Sequence, residues 1–60
     1  LNIKKIFKKQ IAEELMKNGN NFQGTEINRN KIGFLVFLFE DTDKLRSDLD
    51  SITLRNKAKF

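Results

Sequence analysis

The sequence predicts an α+β domain in the order helix, antiparallel β-hairpin, helix, with room for a short N-terminal strand ahead of the first helix. Three features carry this expectation. Ile11, Ala12, Leu15 and Met16 recur at helical spacing and stop at Asn18-Gly19. Two β-rich runs then flank the polar segment Asn28-Arg29-Asn30-Lys31. A second helical stripe, Leu45, Leu49 and Ile52, follows the acidic corner after Glu40.

Taken in order, residues 1–5 admit two readings, since Ile3, Ile6 and Phe7 continue the helical spacing while Leu1 and Ile3 alternate as in a short strand. The first helix is expected over Lys8 to Asn18, with Lys9, Glu13 and Lys17 forming i,i+4 pairs on its outer side. Phe22 to Asn28 reads as a modest strand and Ile32 to Glu40 as a strong one. With Asn28 to Lys31 as the loop, Ile27 and Ile32 flank the turn, so Phe22 is expected opposite Phe37, Gly24 opposite Leu35, and Thr25 opposite Phe34. That register puts Phe22, Leu35, Phe37 and Phe39 on one face, the expected core. Gln23, Thr25, Ile27, Ile32, Phe34, Val36 and Leu38 fall on the other. The second helix is expected over Asp43 to Thr53, with outer pairs Lys44 to Asp48 and Arg46 to Asp50. The tail Leu54 to Phe60 has no stop signal, and the chain ends, 1–5 and 55–60, are expected to fray.

Sixty residues form one domain, 1–60, because so short a chain buries only about 60% of the surface its unfolded form exposes. Small domains gain stability from disulfides, a metal or association. This chain has no cysteine and no histidine, so a disulfide and a Cys/His zinc site are excluded, and association is the expected reinforcement. No cofactor is expected. The longest apolar run, Gly33 to Phe39, is far shorter than the roughly 20 residues a bilayer span needs, so no membrane contact and a cytoplasmic location are expected.

The net charge of +4 is unevenly spread. Lys4, Lys5, Lys8, Lys9 and Lys17 outweigh Glu13 and Glu14 at the start, and Arg55, Lys57 and Lys59 make the tail basic. Between them, Glu40, Asp41, Asp43, Asp48 and Asp50 outweigh Lys44 and Arg46, so a continuous basic surface is not assured. The carboxylates of Glu40-Asp41-Thr42-Asp43 suit a hard cation in principle but lack the glycine and later glutamate of a calcium loop. Capping of the second helix by Asp41 or Thr42, with Asp43 in its positive first turn, is the favoured reading. No histidine activates a serine or threonine, the glycines are scattered, and no catalytic residue is assigned. The segment Lys31 to Phe39 superficially resembles the aromatic strand of RNA-recognition domains through Gly33, Phe34 and Phe39. Leu35 and Val36 depart from that pattern, which favours an apolar core strand.

The succession Ile11-Ala12, Leu15, Gly19, a hairpin closing on Phe37-Leu38-Phe39-Glu40-Asp41, then Leu45 and Leu49, resembles a family of short uncharacterised domains encoded mainly by phages and other bacterial mobile elements. That resemblance implies a small strand, a helix ending in Gly, a hairpin and a final helix, in an accessory protein of a mobile element. It transfers no activity to any residue.

The expected function is a non-enzymatic protein-interaction module that binds itself or another protein. Ile27, Ile32, Phe34, Val36 and Leu38 are the interface candidates, since they alternate onto the face opposite the core. The alternative is a small basic nucleic-acid-binding protein using Lys4, Lys5, Lys8 and Lys9 along one side of a helix, joined by Arg29 and Lys31 at the hairpin tip.

Overall fold

The computed structural model describes residues 1–57 and runs β1 (Ile3–Ile6), α1 (Lys9–Lys17), β2 (Phe22–Ile27), β3 (Leu35–Glu40) and α2 (Asp43–Lys57). The open question at the N-terminus resolves as a strand, so residues 3–5, expected to fray, are instead paired with β3. The three strands form one antiparallel sheet in the order β1-β3-β2. β3, the most apolar strand, takes the centre, where both its edges are hydrogen-bonded. β1 and β2 both run against β3 and are therefore parallel to each other, joined through α1.

α1 ends where the sequence signals. The Gly19 amide donates to the Met16 carbonyl at 3.0 Å and the Asn20 amide to Leu15 at 3.1 Å, the paired closure that requires a left-handed residue between them. Gly19 supplies it at φ +86°. At α2 the capping residue is Thr42, whose Oγ1 accepts the Leu45 amide at 3.1 Å, with Asp43 in the first turn. α2 continues to Lys57, past the expected end at Thr53, and Arg55 in the added turn pairs with Glu14 of α1. Of the tail expected to fray, residues 58–60 lie outside the described residues. The Lys44 to Asp48 pair forms at 2.8 Å. Arg46 turns instead to Asp41, which precedes the helix and meets its guanidinium with both carboxylate oxygens, at 3.1 Å each.

The hairpin register differs from the expected one. Thr25 lies opposite Phe37, Glu26 opposite Val36 and Ile27 opposite Leu35, a shift of three positions along β3. The cause is the loop. Asn28 Oδ1 accepts the amides of Asn30 and Lys31, at 2.9 and 3.3 Å, and the Asn28 amide donates to Phe34 at 3.0 Å. Five residues, Arg29 to Gly33, thus fill the turn, and Ile32 belongs to it rather than to β3. An odd shift exchanges faces, so Thr25 and Ile27 move to the side of Phe37 and Leu35. A bulge between Phe22 and Gly24 absorbs one residue, with Gly24 at φ +122°, and pairs Phe22 with Phe39. Phe22 therefore remains on the core side as expected, its ring 5.4 Å from that of Phe39.

Both helices pack on that side. Ile6, Phe39, Ala12, Leu15, Leu45 and Ile52 form the core, with Ile11, Phe37 and Leu49 packed around it. Its centre is Phe39, fully buried, whereas Phe37 is half-buried and Leu35 and Phe22 are exposed. Asn20 ties the helices together: its Nδ2 donates to the Leu15 carbonyl at 3.0 Å and to Asp48 at 2.8 Å. The molecule is a slab of 30 × 30 × 16 Å, two layers deep. Among the described residues no helix is long and apolar enough to cross a membrane.

Candidate protein interface

With both helices on one side, the opposite face of the sheet has no second layer among the described residues. Strand alternation and the observed pairing place Ile3 and Lys5 of β1, Val36 and Leu38 of β3, and Gly24 and Glu26 of β2 on this helix-free face. Phe34 continues the alternation one step before β3, and Phe7 one step after β1. The two rings are 61% and 62% exposed.

The centre of the face is nonetheless shielded. Lys5 reaches across β3 to Glu26, Nζ to Oε1 at 3.0 Å. Val36, opposite Glu26 on the neighbouring strand, is only 3% exposed. Lys5, Phe7, Glu26 and Val36 line a hollow of about 640 Å³ that also takes in Ile27 and the start of the loop, Asn28 to Asn30.

The expected interface residues separate accordingly. Phe34, Val36 and Leu38 lie on the helix-free side as anticipated, but Val36 is buried and Leu38 half-buried. Ile32 stands in the loop, 94% exposed. Ile27, 74% exposed, is displaced by the register shift to the side of Leu35, where β2 and β3 extend beyond β1. Ile3, Phe7 and Glu26 are additions that the sequence does not announce. The assignment of residues 3–6 to a strand reveals Ile3 and Phe7, because in a strand Ile3, Lys5 and Phe7 share one side. The shifted hairpin register, which puts Glu26 opposite Val36, reveals Glu26.

The basic residues do not form the expected helical row. Lys4 and Lys5 lie in β1 and point to opposite faces. Lys4 is on the helix side, lining a small hollow with Asp41, Arg46, Leu49 and Asp50. Lys8 precedes α1, and Lys9 opens it, 4.0 Å from Glu13. Arg29 and Lys31 are in the hairpin loop, with the Lys31 ammonium 5.9 Å from the centre of the Phe34 ring. Of the six, only Lys5 and Arg29 line the hollow on the helix-free face.

The acidic corner is engaged in structure. The hydrogen bond from Arg46 holds the Asp41 carboxyl below the usual aspartate range, against an opposing effect of burial, with Lys4 adding to the lowering. Asp48 is lowered first by Lys44 and then by Asn20. Among the described residues no three carboxylates converge on one point. Comparison with known proteins found no matching family model, no matching curated protein and no matching solved structure.

Proposed function

We propose that this chain is a non-catalytic protein-interaction module whose binding surface is the helix-free face of its sheet. The observation that carries the proposal is the exposure of Phe7 and Phe34 on a sheet face that no second layer covers among the described residues. Two large rings flanking an aliphatic strip form the apolar anchors around which protein interfaces are organised. An accessory role in a mobile genetic element, the setting implied by the sequence resemblance, suits a module of this size. The test is a photoreactive phenylalanine analogue placed at Phe34 and, as a control, at Lys17 on the exposed side of α1. Protein adducts should form from Phe34 and not from Lys17. Equal labelling at both positions, or none at Phe34, would refute the assignment of the face.

One observation favours a second reading, contact with single-stranded nucleic acid: Lys5 and Arg29 share a hollow with Phe7, so cations for phosphate stand beside a ring that can stack on a base. Such binding should weaken steeply with salt, and replacing Lys5 and Arg29 should flatten that dependence, while replacing Lys4 should not.

A further inference from the structure

We infer that the helix-free face is completed by a second copy of this chain, packed sheet to sheet about a two-fold axis running along β3, with Lys5 of each copy meeting Glu26 of the other. This deepens the interaction-module reading and rests on it. The charge pattern is the first support. On this face β3 carries the apolar residues, while the flanking strands carry opposite charges, Lys5 on β1 and Glu26 on β2. A two-fold axis parallel to the central strand lays the β1 of each copy over the β2 of the other, so the face is complementary to itself.

The reach is also right. Within one chain Lys5 and Glu26 bridge two strand spacings, roughly 9.6 Å, and a stagger of two residues, since Lys5 is level with Leu38 and Glu26 with Val36. Between stacked sheets the pair would bridge about 10 Å with the same stagger. The side chains that close the gap in the monomer therefore close it in the dimer, by exchanging partners rather than by being stripped of one.

The area reaches the lower bound of a specific interface. Ile3, Lys5, Phe7, Glu26 and Phe34 together expose on the order of 500 Å² of side-chain surface, taking about 200 Å² for a full large side chain, so two copies would bury about 1,000 Å² between them. Gly24, opposite Leu38, has open space where a Cβ would stand, which leaves β2 flat enough for close approach.

The test uses two charge reversals, Lys5→Glu and Glu26→Lys, both at exposed positions, with circular dichroism to establish that each variant folds. Sedimentation velocity at micromolar concentration should show the parent as a dimer and each variant alone weakened by about tenfold or more. In a one-to-one mixture both intermolecular pairs are restored: the introduced glutamate faces the introduced lysine, and the unaltered Glu26 of one variant faces the unaltered Lys5 of the other. The pair within each chain stays broken. The mixture should recover the dimer. A monomeric parent would overturn the inference, as would a mixture no tighter than its components. Adducts from Phe34 with other proteins alongside a monomeric parent would end the self-association and leave the interaction module standing. A Phe34→Asp variant that folds yet still dimerises would also overturn it.

Discussion

Replacing Phe39 by alanine should remove a large part, up to all, of this domain's stability. The ring is fully buried at the centre of the core among Ile6, Leu15, Leu45 and Ile52, and it comes from the central strand. Truncating a phenylalanine so placed costs about 3 to 5 kcal/mol, because the lost transfer energy is joined by a cavity that neighbours on three different elements cannot close. A chain of 60 residues has in total only about 3 to 9 kcal/mol of stability. The loss therefore removes between roughly a third and all of it. Phe37 provides the internal comparison: it lies one pleat away on the same face but is half-buried, so Phe37→Ala should cost about 1 to 2 kcal/mol. Urea titrations followed by far-ultraviolet circular dichroism would measure both. A Phe37→Ala protein less stable than Phe39→Ala would show that the centre of the core has been misplaced, and an unchanged midpoint for Phe39→Ala would refute the packing altogether.

Thr42→Ala removes the side-chain acceptor of the Leu45 amide and should cost about 1 kcal/mol, whereas Thr42→Asp should retain most of the stability, both read from urea midpoints. Gly24→Ala forces a side chain onto a backbone at φ +122° where there is space but not conformational freedom, and should cost about 1 to 3 kcal/mol in the same titrations. Asp41 and Asp48 have carboxyl groups that titrate lower in the folded state than in the unfolded one. Their contribution is present in full above the unfolded-state value and is lost as pH falls through the folded-state value, so thermal stability should drop on the acid side. Asp41→Asn should make that drop shallower, and an unchanged acid limb would contradict the Arg46 pairing.

The two helices are legible because their signals are local. Apolar spacing, a glycine stop and a threonine cap each act within a turn or two of chain, and α1, Gly19 and Thr42 sit where those signals put them. β1 is not legible, since Ile3 to Ile6 carries two lysines at its centre and becomes a strand only by pairing with β3, more than thirty residues away. The register is hidden for a different reason. An asparagine-rich loop closes with four residues or five, and the choice depends on Asn28 bonding forward to Asn30 and Lys31 while Gly33 turns at φ +91°. The differences at the site follow from these two. Val36 and Leu38, with Phe34 one step before the strand, keep their expected face because alternation along β3 needs no knowledge of the partner strand. Ile27 changes face because its side depends on the register. The expected lysine patch divides because two of its members lie in a strand whose alternation sends them to opposite faces.

Alternation also places a nearly buried valine on a face that has no second layer among the described residues. A three-stranded sheet with helices on one side leaves Val36 and Leu38 facing outward, and an unpaired apolar strip of that kind invites uncontrolled association. Lys5 and Glu26, on the strands either side, meet across the strip with their charges in water, and Val36 between them is only 3% exposed. Such an exposed pair adds little to stability, so it is readily exchanged for an equivalent pair from outside. In the dimer proposed above, this pair gives way to a surface that offers an acid opposite the lysine and a base opposite the glutamate. A second copy of the chain turned about β3 would present both at a spacing matching that within one chain.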